Sequence, residues 1–105
     1  MYKENDFDIG RNIKAIDWLR TEIVVNAGLV CRALQNAKDE LVLQALANTM
    51  LSCYLMARRL GYSFSRLEQE VQKRTRQAQL DNHELEQWYN DLSNLIEHLE
   101  VRRRQ

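Results

Sequence analysis

The chain has 105 residues, one modest domain's worth. Its 15 Lys and Arg balance 15 Asp and Glu, which argues against a protein that grips nucleic acid through a positive excess. Hydrophobic residues at 45% and charged residues at 29% exclude a disordered chain, and no proline with only three glycines argues against sandwiches and barrels.

Four helical patterns follow in chain order, and the whole is expected to form one all-α domain over 1–105. The first covers 8–34, where Ile9, Ile13, Ile16, Leu19, Ile23, Ala27, Val30 and Leu34 step by three or four residues along one face. Asp8 is its candidate N-cap, and Gln35-Asn36 its expected stop, because Asn tolerates the left-handed conformation that ends helices. The second covers 39–61 and ends on Gly61. Asp39 and Glu40 at its start and Arg58 and Arg59 near its end complement the helix dipole. Between them, the 17 residues of 41–57 carry no charge. Gln44, Asn48, Thr49 and Ser52 make that run too polar for a membrane span, so a helix surrounded by other protein elements is expected.

The third helix is expected to start at Ser63 or Ser65, with a thin apolar stripe of Phe64, Leu67, Val71 and Ala78. The fourth is expected to start at Asp81 or Asn82 with a capping box to Glu84, and to run on through Leu85, Trp88, Tyr89, Leu92, Leu95, Ile96 and Leu99. Short connections favour antiparallel neighbours in a bundle. Wide apolar faces on so small a domain predict burial against a second copy, as a homodimer or higher homo-oligomer. Charge is segregated. The stretch 56–80 holds six basic residues (Arg58, Arg59, Arg66, Lys73, Arg74, Arg76) and two acidic ones (Glu68, Glu70), whereas 81–101 holds six acidic residues and no Lys or Arg. Either these helices lie side by side and neutralise each other, or the basic stretch faces a phosphate-bearing ligand.

Cys31 and Cys53 match no zinc or redox spacing and read as small buried hydrophobes. With a polar, acidic beginning unlike a signal peptide, they suggest a cytoplasmic setting. His83 reads as part of a cap and His98 as a surface residue, while Trp18, Trp88 and Tyr89 suit core or interface packing better than base stacking. Neither a Ser/His/Asp arrangement nor a glycine-rich phosphate loop occurs.

The stretch ALANTMLSCYLMARRLGYSFSRLEQEVQKR, with its Leu60-Gly61 turn, resembles the central helix pair of the MazG-like all-α NTP pyrophosphohydrolases. VNAGLVCRAL looks like the helix that carries the family's Glu-Glu-x-x-Glu, and the flanks RNIKAIDWLRTEI and HELEQWYNDLSNLIEHL look like a short single-domain branch. The resemblance covers roughly residues 11–99 and implies a four-helix MazG-like bundle completed by homodimerisation. It also implies, in catalytic members, Mg²⁺ held by carboxylates from two helices. Here Val25, Asn26 and Leu29 stand at the Glu-Glu-x-x-Glu positions, and Ala45 and Asn48 at the Glu and Asp of the second motif. A hard divalent cation needs oxygen ligands, preferably anionic, so loss of metal-dependent hydrolysis is expected.

A polar stripe survives. Gln44, Asn48 and Ser52 share one face of the second helix, and Glu22 and Asn26 share one face of the first. They form either a buried hydrogen-bond network or, with Lys73 and Arg76 as phosphate contacts, a vestigial ligand pocket. The expected function is a homo-oligomeric regulatory, nucleotide-binding or interaction module without a cofactor, DNA, RNA or membrane. One alternative is an active nucleoside triphosphate diphosphatase with Mg²⁺ at a non-standard site that uses Glu22. The other is a structural partner protein with no small ligand.

Overall fold

The computed structural model describes residues 2–81 and 83–104, with side-chain surroundings over 9–81 and 83–102. Five helices occur among them and no strand: α1 (Tyr2–Asn36), α2 (Asp39–Arg59), α3 (Phe64–Leu80), α4 (Glu84–Tyr89) and α5 (Asp91–Arg104). The all-α expectation therefore holds. The helices form two compact units, Met1–Ser63 and Phe64–Gln105.

The first unit is the α1–α2 hairpin. Nothing in YKENDF breaks a helix, so α1 extends back past the candidate cap Asp8 to Tyr2. At the other end Ala37, not Asn36, takes the left-handed conformation (φ 54°) in the two-residue turn to Asp39. A seam then forms along α1. Asn12, Ile16, Leu19, Ile23, Asn26, Val30 and Ala33 are all buried or half-buried, and their spacing alternates four and three. On α2 the partners Val42, Ala45, Thr49, Ser52 and Met56 alternate three and four. That is the heptad spacing of helices packed nearly parallel to each other's axes.

The seam passes through Asn26 and Ala33, where the expected stripe ran through Ala27 and Leu34, both exposed. Asn26 can replace an apolar residue because its amide finds partners on α2, and small Ala33, Ala45 and Ser52 let the two backbones approach. At the open end of the hairpin, Asn12 Nδ2 donates to the Arg59 carbonyl at 2.8 Å, satisfying an orphan group in the last turn of α2.

Helix α2 ends in a Schellman motif. The Tyr62 amide donates to the Ala57 carbonyl at 2.9 Å, the Gly61 amide to the Arg58 carbonyl at 3.1 Å, and Gly61 sits at φ 97°. The expectation that α2 is enclosed on all sides does not hold within one chain. Only Ala45, Ser52 and Ala57 are buried, while Leu43 is 68% and Met50 56% exposed. One neighbouring helix can cover only one face. Cys31 and Cys53 are likewise exposed, since both fall off the seam.

In the second unit α3 and α4 pack on α5. The fourth expected helix is in fact two, broken at Asn90, which adopts αL (φ 57°, ψ 29°). The cap of α4 is His83, whose Nδ1 accepts from the Leu85 amide at 3.1 Å. The expected Asp81–Glu84 box is absent, and the alternative start at Asn82 lies outside the described residues. Glu86 on α4 reaches across the break and accepts from the Ser93 amide (3.0 Å) and the Ser93 hydroxyl, so it caps the first turn of α5. These bonds, the Ser93 hydroxyl foremost, hold the Glu86 carboxyl below its usual range.

The expected α3 stripe is corrected too. Phe64 and Val71 are exposed while Leu67 and Ala78 are half-buried as expected, and the buried residues are Gln72 and Thr75, on the helix that packs on α5. Cross-helix ion pairs Arg76–Glu100 and Arg102–Glu68 (3.3 Å) join α3 to α5, as the side-by-side reading of the segregated charge required. Ile96 and Leu99 are buried, and His98 is exposed as expected. Trp18, Trp88 and Tyr89 are about 60% exposed, so none is a core residue of the single chain.

Candidate functional site

Antiparallel pairing along the heptad seam brings the second half of α1 against residues 41–52 of α2. Asn26 is 7% exposed, and its Nδ2 donates to Ser52 Oγ at 2.8 Å and, more loosely, to the Asn48 carbonyl at 3.3 Å. Ser52 Oγ donates in turn to the Asn48 carbonyl at 3.0 Å. This small closed network satisfies the buried polar atoms of the seam. Glu22, one turn earlier on α1, is half-buried.

Next to the network, towards the Ala37–Lys38 turn, lies a cleft of about 270 Å³, open on one side. Leu29, Ala33, Leu41 and Ala45 form its apolar floor, and Arg32, Asn36, Gln44 and Asn48 its polar rim. Helical spacing explains the layout. Leu29/Ala33 and Arg32/Asn36 are pairs four apart on α1, as are Leu41/Ala45 and Gln44/Asn48 on α2. None of the four rim side chains has a hydrogen-bond or ion-pair partner among the described residues.

Of the candidate ligand residues, Asn26 and Ser52 meet in the buried network, and Gln44 and Asn48 meet on the cleft rim. Lys73 and Arg76 belong to the second unit, where both are exposed and Arg76 pairs with Glu100. Arg32 and Asn36 were missed by sequence reasoning. Their spacing of four from each other, one turn beyond Leu29, was the available signal.

A model of the MazG-like family matches residues 9–92, and the chain belongs to that family. No curated protein and no solved structure matches the chain. Of the five residues that the resemblance puts at the family's acidic positions, Val25 is 46% exposed and off the seam, Asn26 lies in the buried network, and Leu29, Ala45 and Asn48 line the cleft. Its donor set does not suit Mg²⁺. Leu29 and Ala45 offer no ligand atom, the Asn26 amide points its N–H groups at α2, and the rim carries a guanidinium. No group of three or more His, Cys, Asp and Glu side chains able to hold a metal occurs among the described residues.

Proposed function

We propose that this MazG-like protein has lost metal-dependent NTP pyrophosphohydrolysis and works as a homo-oligomeric module that binds a nucleotide or a regulatory partner. The observation that carries this reading is the composition of the α1–α2 groove. Leu29, Ala45 and Asn26, which the family resemblance sets at positions of metal-binding carboxylates, are apolar or donate inward, and Arg32 adds a positive charge to the cleft rim. With no metal to bridge the phosphates and activate water, the groove can hold a ligand without cleaving it. The test is a panel of nucleoside mono- and triphosphates, with and without Mg²⁺ or Mn²⁺. The expected result is a rise in melting temperature with no pyrophosphate released. Release of pyrophosphate that disappears in Glu22→Gln refutes the reading in favour of a working diphosphatase.

Self-association is supported by the outer face of α2, where Leu43, Leu46 and Met50 recur at helical spacing and are 68%, 47% and 56% exposed. Apolar area of this kind on an otherwise charged chain is best covered by the same face of a second copy. By length and composition alone α2 could also cross a membrane, with 17% of that window buried. Its hydrogen-bonded seam with α1 weighs against that location, because α1 carries Arg11, Lys14, Asp17 and Arg20 along its length and would be costly to place in lipid. A cytoplasmic module that engages neither membrane nor nucleic acid is therefore the reading we adopt. Light scattering at high concentration should give at least twice the monomer mass, and a clean monomer refutes the interface.

A further inference from the structure

We infer that the α1–α2 cleft binds a nucleoside monophosphate without any metal ion, with the Arg32 guanidinium holding the phosphate. The inference deepens the nucleotide-binding reading above and rests on it. The four polar side chains on the rim are exposed and have no hydrogen-bond or ion-pair partner among the described residues, which sets them apart from Asn26 and Ser52 in the buried seam beside the cleft, whose side chains bond to each other. A guanidinium presents a planar fork that matches two phosphate oxygens. It also repels the divalent cation that carboxylates would attract.

The remaining rim groups are all carboxamides. Asn36, Gln44 and Asn48 each carry both a donor and an acceptor, the chemistry that pairs with a nucleobase edge. Below them Leu29, Ala33, Leu41 and Ala45 offer an apolar floor for the face of the ring. The volume of about 270 Å³ lies just under the usual range for small-molecule sites, enough for a compact ligand that leaves one side in water. A single guanidinium suits a single phosphate. A triphosphate without metal would bring several uncompensated negative charges near Asp39 and Glu40 in the first turn of α2.

The experiment titrates the full-length protein by calorimetry with each nucleoside monophosphate, a nucleoside triphosphate and inorganic phosphate, in EDTA and again in Mg²⁺. Binding of at least one monophosphate in EDTA is expected, unchanged by Mg²⁺ and weakened on the order of 10- to 100-fold in Arg32→Gln. Arg32 is exposed, so this variant should fold, which circular dichroism checks. Gln44→Glu, which adds a carboxylate to the rim, should weaken binding independently. Nucleotide binding that requires Mg²⁺, or that survives intact in Arg32→Gln, overturns the inference while leaving the nucleotide-binding reading standing. Equal binding of inorganic phosphate overturns the role of the carboxamide rim. No binding of any nucleotide overturns both this inference and the reading beneath it.

Discussion

Replacing Asn26 tests the seam on which the cleft is built. In Asn26→Ala the 2.8 Å bond to Ser52 Oγ is lost, while the Ser52 hydroxyl keeps its 3.0 Å bond to the Asn48 carbonyl. No buried polar atom of that network is stranded, so the hydrogen-bond loss is a net ~0.5–1.5 kcal/mol, and the void left by the carboxamide adds a comparable amount. The sum is about 2 kcal/mol, which for a domain of this size lowers Tm by roughly 8–16 °C. Asn26→Leu behaves differently. It fills the void with apolar atoms at a heptad position and leaves Ser52 satisfied, so its stability should equal or exceed that of the parent by about 1 kcal/mol. The benefit should come with a looser helix register, since a buried Asn in a heptad seam selects one alignment at a cost in stability. Urea and thermal unfolding followed by far-ultraviolet circular dichroism read both variants. An alanine variant as stable as the parent, or a leucine variant worse than the alanine one, would refute the proposed seam geometry.

Gly61→Ala places a Cβ at φ 97° in the Schellman motif, with open space around it, so backbone strain alone should lower stability by ~1–2 kcal/mol in chemical denaturation. Met50→Glu, on the exposed outer face of α2, should shift the protein towards monomer in light scattering while leaving its helix content unchanged. Arg76 and Glu100 are 56% and 41% exposed, so Arg76→Ala should cost less than about 1 kcal/mol, and the effect should shrink further in high salt. The Glu86 carboxyl is held below its ordinary value chiefly by Ser93. Its contribution to folding is therefore present above the unfolded-state value of 4.5 and lost as pH falls through the lower folded value. Ser93→Ala should move the Glu86 titration, followed by carbon NMR, back up towards that ordinary value.

The amino-acid sequence by itself determined the helical class, the antiparallel hairpin of α1 and α2, the termination of α2 at Gly61, and the uncharged character of the 41–57 run. Each of these follows from local chemistry: period, a cap, a glycine, the identity of a side chain. Which face of each helix is buried was settled only in three dimensions. The α1 seam runs through Asn26 because Ser52 waits across it, and no periodicity scale credits a polar residue with a partner 26 positions away. The break at Asn90 likewise depended on Glu86 reaching over to cap α5, a contact between helices that capping rules within one helix do not capture. Arg32 was an unremarked surface residue and Asn36 only a helix stop until the hairpin closed and set them in one cleft with Gln44 and Asn48. A cleft belongs to two elements at once, so its rim is defined by how they pack, and that is information the linear order of residues carries only in combination.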